Sequence, residues 1–280
     1  MFRAATTIAC AATIALASGC ARVPSPLTPN VAGSVGLPHR GVLTGAERMP
    51  SSGPGFRFLR DDDRHFATPR FARVLARAAS RVDSLRPGAT LVLGDLSRKD
   101  GGRLLPHLSH RSGRDADLVF YATTVDGAPV VAPDFVHYGR DGLAWDPSKK
   151  RFLRLDVERE WLLVKTLLED PEAEVQWLFV SRDVRALLLE WAVARGEPTE
   201  TLYRAAESMV QPEPGGVHDD HVHVRVACSR EEWERGCERS GPLRPWSTSG
   251  PAFEEPPSDE ELALSLLVPL TEASPRTTAR

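Results

Sequence analysis

The chain has no block of basic residues, and a formal charge of -3 with a pI near 6.3 gives no reason to expect nucleic acid as a partner. It has no Gly-x-Ser-x-Gly elbow, so a serine nucleophile of that kind is missing. Its N-terminal apolar run, residues 8–17, is too short for a bilayer-spanning helix, which needs ~20 residues. Cysteine is scarce. Cys10 and Cys20 lie at the N-terminus, which leaves Cys228 and Cys237 for the body of the protein. What is present is a 280-residue chain with 41% hydrophobic content, enough for one sizeable core.

Arg3 is the only charge before the N-terminal run, which closes on Leu16-Ala-Ser-Gly19-Cys20. This resembles a bacterial lipobox and implies a lipoprotein-type signal peptide over residues 1–19, with Cys20 lipidated as the first residue of the mature chain. Ala21 rather than an aspartate after the cysteine points to the periplasm and an anchor in the outer-membrane bilayer. Ordinary signal cleavage near Ala17, giving a soluble secreted protein, is the competing reading. Residues 20–40, Pro-rich and then Gly-rich without an apolar period, read as a flexible linker, and residues 41–240 as the folded domain. Residues 241–280 read as a Pro/Ser-rich, acidic, largely disordered tail in which Ser258-Asp-Glu-Glu261 would cap a short helix. In an oxidising compartment, Cys228 and Cys237 read as a disulfide, with zinc ligation as the discounted alternative.

Within the domain, Thr68-Pro69 opens a helix with threonine as N-cap, and Phe71, Val74, Leu75, Ala78, Val82 and Leu85 form its buried stripe. Thr90-Leu-Val-Leu93 reads as a buried strand leading to Asp95 and Ser97, which read as turn residues before supporting ones. After Asp117 the pattern predicts a strand, a turn at Asp126-Gly127, and a long loop carrying His137, Tyr138 and Trp145 as a groove wall. Asp156 caps a helix to Glu169, Val175-Gln-Trp-Leu-Phe-Val180 is a strand, Ser181 caps a helix through Ala194, and a short helix covers residues 199–209. This alternation predicts an α+β domain: a small, mostly antiparallel sheet carrying the site, with helices packed around it.

Five of the eight histidines fall in two short stretches, and His137 lies between them. The first stretch is His107-Leu-Ser-His110-Arg-Ser-Gly113-Arg-Asp115-Ala-Asp117; the second is His218-Asp219-Asp220-His221-Val222-His223. His110, Asp117 and His223 would supply two neutral imidazoles and one carboxylate, a ligand set that leaves zinc a strong Lewis acid. Gly113 fits a sharp turn between the first two ligands. In residues 221–226 the period is two, which sets His221, His223 and Arg225 on one face and the valines on the other. A lone His-x-His on a strand is more often a structural pair, but the joint pattern is far more specific.

The full pattern, His-x-x-His-x-x-Gly-x-Asp-x-Asp followed by His-Asp-Asp-His-x-His-Val-Arg, resembles the penicillin-insensitive murein endopeptidases, relatives of lysostaphin-type and D-Ala-D-Ala metallopeptidases. The resemblance runs from about Gly41 to Cys237 and takes in Leu93-Gly94-Asp95 and Gly101-Gly102. Arg111 stands where the family has Gln, and Val222 where an aromatic is usual. The resemblance implies one Zn2+ and hydrolysis of peptidoglycan stem-peptide cross-links, of the D-Ala to meso-diaminopimelate type, by metal-activated water. It implies His221 as general base and His218 as stabiliser of the tetrahedral intermediate. Asp220 and Asp115 would orient imidazoles. His107 either assists or packs at the rim. A D,D-carboxypeptidase of the same zinc family and a non-catalytic murein-binding lipoprotein are the alternatives.

Overall fold

The computed structural model describes residues 32–212, 216–239, 241–242 and 244–247. Residues 1–19, Cys20 and the proposed tail helix lie outside them. Among the described residues, no helix is long and apolar enough to cross a membrane.

Helix α1 (Pro69–Leu85) starts where Thr68 accepts a hydrogen bond from the Phe71 amide and Pro69 needs no donor. Its stripe is buried from Phe71 to Val82, but Leu85 is 49% exposed, so the buried face ends one turn early. Helices α2 (Val157–Glu169) and α3 (Arg182–Ala194) begin at Asp156 and Ser181, each of which caps the third residue onward. Helix α4 covers Thr199–Ser208 and a one-turn α5 covers Arg230–Glu234.

The main sheet has seven strands in the order Met209–Val210, Val175–Phe179, His221–Val226, Asp115–Val119, Leu91–Leu93, Phe56–Phe58, Ser52–Gly53. Four of its six pairings are antiparallel, so the architecture is α+β with a mostly antiparallel sheet, as the sequence predicts. One face packs on the helices. Ala116, Leu118, Val222 and Val224 join Phe71, Leu75, Trp161, Val164 and Leu188 in a single core. Directly opposed residues of an antiparallel pair share a face. The register His223↔Asp117 and Arg225↔Asp115 therefore gathers the polar residues of the two central strands on the other face.

Part of the stretch expected as a long loop belongs to a second antiparallel sheet, Pro129–Val130, Ala122–Thr124, Arg151–Leu155, Leu143–Asp146, while residues 131–142, with His137 and Tyr138, stay outside its strands. The turn at Asp126-Gly127 is present, with Gly127 at φ 93, and Trp145 sits on a strand beside Phe152. These strands are two to five residues long, too short for alternation to declare itself.

The folded domain also starts before Gly41. Gly33–Val35 pairs with Val42–Thr44, and the buried Arg114 donates to Ser34 Oγ within it at 2.9 Å and to the Glu238 carbonyl near the other end of the domain at 2.9 Å. The expected linker over residues 20–40 is thus shorter at its C-terminal end. Packing continues past 240 as well, where Arg244 is buried against Glu207 and Trp246 meets Tyr203. Cys228 and Cys237 form a disulfide around α5, directly after the His221–Val226 strand.

One core group makes stability depend on pH. Glu160 of α2 is fully buried; its Oε2 accepts from the Tyr121 amide at 3.1 Å while Oε1 has no hydrogen-bond partner among the described residues. Burial raises the carboxyl to about 8, and the Tyr121 N–H offsets this only in part. The unfolded chain therefore releases this proton first, and stability falls as pH rises from about 4.5 to about 8. At about 1.4 kcal/mol per pH unit for one proton, the loss is of the order of a few kcal/mol. Urea unfolding at pH 5 and pH 8 should show this decline in the wild type and a flatter profile in Glu160→Gln; equal slopes would dismiss the assignment.

Candidate metal centre

Asp117 is the hub. Its buried carboxylate lies against His107, His221 and His223, which line a cavity of about 1100 Å³ together with His137, His218 and Arg225, among others. Asp117 Oδ1 is 3.2 Å from His110 Nε2, 3.3 Å from His221 Nε2 and 3.3 Å from His223 Nδ1, and Oδ2 is 3.7 Å from His107 Nδ1. His218 stands one ring further out, 5.0 Å from His221 and 5.7 Å from His223 between centroids.

Close backbone approach builds this floor. Gly113 has φ 73, and a Cβ there would meet the Leu43 side chain at 2.6 Å and the Thr68 amide nitrogen at 3.0 Å, so the sharp turn requires glycine. His110 itself has φ 61, a region that costs a residue with a Cβ. Its neighbours hold it there. Ser97 Oγ donates to the His110 carbonyl at 2.7 Å and accepts from the Gly113 amide at 3.0 Å, while Asp115 accepts from the His110 amide at 3.2 Å. His218 is also left-handed, at φ 54.

Each imidazole has one nitrogen tied outward. His110 Nδ1 donates to the Leu96 carbonyl at 2.7 Å, His223 Nε2 to Asp115 at 2.8 Å, His221 Nδ1 to Asp220 at 2.5 Å, His218 Nδ1 to the Gly216 carbonyl at 2.7 Å, and His107 Nε2 to Asp95 at 2.7 Å. In the neutral ring the other nitrogen then carries a lone pair. For His110, His221, His223 and His107 that lone pair faces the Asp117 carboxylate.

Such convergence of acceptors demands positive charge. His110 Nε2 and both oxygens of Asp117 are buried without a hydrogen-bond partner among the described residues, which is costly unless a cation or extra protons sit among them. In the protein alone, protons meet the demand. Burial lowers the His221 imidazolium, but Asp117 and Asp220 outweigh it and lift the group to about 10. Burial would raise Asp117, yet His110 and His221 hold it well below the usual carboxylate range. Burial likewise opposes ionisation of Asp115, and Arg225 at 2.7 Å with His223 overcomes it. His218 goes the other way, to about 4, through burial and then the neighbouring imidazoles. Two groupings here have the spacing to hold an ion: His107, His110 and Asp117, and His218, His221 and His223. A metal ion fits the donor set, and Asp117 with His110 is its most enclosed part.

The residues singled out in the two histidine stretches therefore all come to one place. A profile of the family described as penicillin-insensitive murein endopeptidase matches residues 34–250. The chain belongs to that family. Family members of the same description are similar along most of their length. One from Haemophilus influenzae is 27% identical over 227 residues, 79% of this chain and 71% of its own. One from Klebsiella pneumoniae is 26% identical over 271 residues, covering 90% and 89%, and one from Escherichia coli is 27% identical over 222 residues, covering 78% and 73%.

Within this family member, sequence reasoning undervalued several groups. Asp95 is a buried carboxylate shared by His107 and Arg64, the latter at 2.7 Å, and Ser97 fixes the His110 turn; neither is merely a turn residue. Arg225 holds Asp115, and Phe135 lies edge-on to His221 at 5.2 Å. The common face of His221, His223 and Arg225 could have signalled the Arg225 role; nothing in the spacing signals Asp95. His137 lines the cavity and donates to Asp219 at 2.8 Å, and Trp145 lines a neighbouring cavity that His137 also borders.

Proposed function

We propose that the protein is a zinc-dependent murein endopeptidase that hydrolyses peptide cross-links of the D-Ala to meso-diaminopimelate type. The observation that carries this reading is the buried Asp117 carboxylate and His110 Nε2, without hydrogen-bond partners among the described residues, directly behind the His221 and His223 rings that line the cavity. His110, Asp117 and His223 would hold one zinc ion. Zinc, when bound, supplies Lewis acidity and makes water nucleophilic near neutral pH.

The remaining work falls to side chains. His221 presents Nε2 to the cavity with Nδ1 committed to Asp220; once the charge that keeps the ring protonated in the protein alone is offset by a cation on Asp117, Nε2 is free to take the proton of the attacking water and pass it to the leaving amine. His218, with Nδ1 held by Gly216, is kept neutral by burial in the protein alone and would stabilise the oxyanion once that negative charge draws a proton onto Nε2. Asp115 keeps the His223 ring in the tautomer that offers Nδ1, and Asp95 does the same for His107, which assists from the second wall. Because no serine is acylated in this scheme, penicillin has no nucleophile to trap. Digestion of cross-linked murein, with products identified by mass, tests the reading. Conversion of dimeric to monomeric muropeptides that stops on chelation is expected; release of D-alanine alone would make the protein a carboxypeptidase, and no change in murein would make it a binding protein.

The proposal places the enzyme in the periplasm, tethered to the outer membrane by lipid on Cys20. Replacing Cys20 by serine should move the protein from the membrane to the soluble fraction without altering its activity on isolated murein. A wild type that is already soluble would favour cleavage near Ala17.

A further inference from the structure

Almost every charged group around the cavity is matched inside the protein. Arg225 is spent on Asp115, His107 on Asp95, His137 on Asp219 and Asp220 on His221. Arg111 is the exception. It lines the cavity and follows His110 directly, and its main chain is fixed on both sides: its amide donates to the Pro38 carbonyl at 3.1 Å, and its carbonyl accepts from the Gly102 amide at 2.9 Å. The side chain is half-buried, Nε is enclosed without a hydrogen-bond partner, and the guanidinium makes no ion pair among the described residues.

A guanidinium stays charged at any physiological pH, and an enclosed donor without a partner is destabilising. Evolution of a bare cation into this wall makes physical sense if its partner arrives with the ligand. The two terminal Nη groups form a planar fork that matches a carboxylate in bidentate fashion, which neutral amides do not reproduce. We infer that Arg111 is a carboxylate-binding subsite that takes a free carboxylate of the stem peptide beside the scissile bond. This rests on the murein endopeptidase reading. In a D-Ala to diaminopimelate cross-link, the carbon bearing the scissile nitrogen also bears a free carboxylate. The C-terminal carboxylate of a stem is the other source of the same chemistry.

The test is calorimetric binding of defined monomeric stem peptides to the full mature protein loaded with zinc, with cleavage of the matching cross-linked dimers scored separately. Three ligands are compared: both carboxylates free, the diaminopimelate carboxylate amidated, and the C-terminal carboxylate amidated. Amidating the group that Arg111 holds should weaken wild-type binding by about 10- to 100-fold, the range for a charge-assisted hydrogen-bonded contact. In Arg111→Gln that ratio should fall to near one, and Arg111→Lys should restore part of it. Metal content and melting temperature show whether the variants are folded. The amide that matters names the source. If neither amide weakens wild-type binding, or Arg111→Gln keeps the ratio, the subsite does not exist. If binding discriminates but no dimer is cut, the subsite stands and the endopeptidase reading fails.

Discussion

On the proposed ligand set, His223→Ala protein should leave purification with almost no zinc, against one equivalent in the wild type, and with no measurable hydrolysis of murein cross-links. The substitution removes a proposed ligand nitrogen 3.3 Å from Asp117 and at the same time deprives the fully buried Asp115 of one donor, leaving it Arg225 and the His110 amide. Outer hydrogen-bond partners of metal ligands alone are typically worth 10–100-fold in affinity, and a ligand is worth more. Metal analysis after exhaustive dialysis decides it. Full zinc retention would transfer the ligand role to His221.

That transfer is a real alternative, because Asp117 Oδ1 is as near His221 Nε2 as His223 Nδ1, at 3.3 Å each. Their surroundings separate them. The His223 side chain is 7% exposed and its outer nitrogen is locked by Asp115, itself gripped by Arg225; the His221 side chain is 15% exposed and leans on Asp220, which is partly open to solvent. A ligand needs the first setting and a proton carrier the second. His221→Ala should therefore keep its zinc and lose ~10²–10⁴-fold in kcat, the usual worth of a general base. Loss of the metal with the side chain would reverse the two roles.

The parts of this protein that were legible in the sequence are those governed by local rules. Thr68, Asp156 and Ser181 announce helices because a cap is a contact over three residues. The alternation of residues 221–226 fixes which side chains share a face, whatever the strand pairs with. What could not be read depends on chain crossings. Asp95 joins the site only because Gly94 donates to the Asp117 carbonyl at 2.8 Å and the Asp117 amide returns a bond to the Asp95 carbonyl at 3.0 Å. The second sheet was missed because its strands are too short for a period. The start of the domain was missed because Gly33–Val35 is held by Arg114 from 80 residues away, a partner that composition cannot reveal.

A zinc-edge anomalous difference map from crystals of the mature protein tests the central claim most directly. The account predicts one strong peak at bonding distance, roughly 2.0–2.2 Å, from His110 Nε2, the Asp117 carboxylate and His223 Nδ1, with His221 and His218 facing it from the cavity side. A peak held by His218, His221 and His223 with Asp117 and His110 outside its reach, or no peak in zinc-saturated crystals, would contradict it.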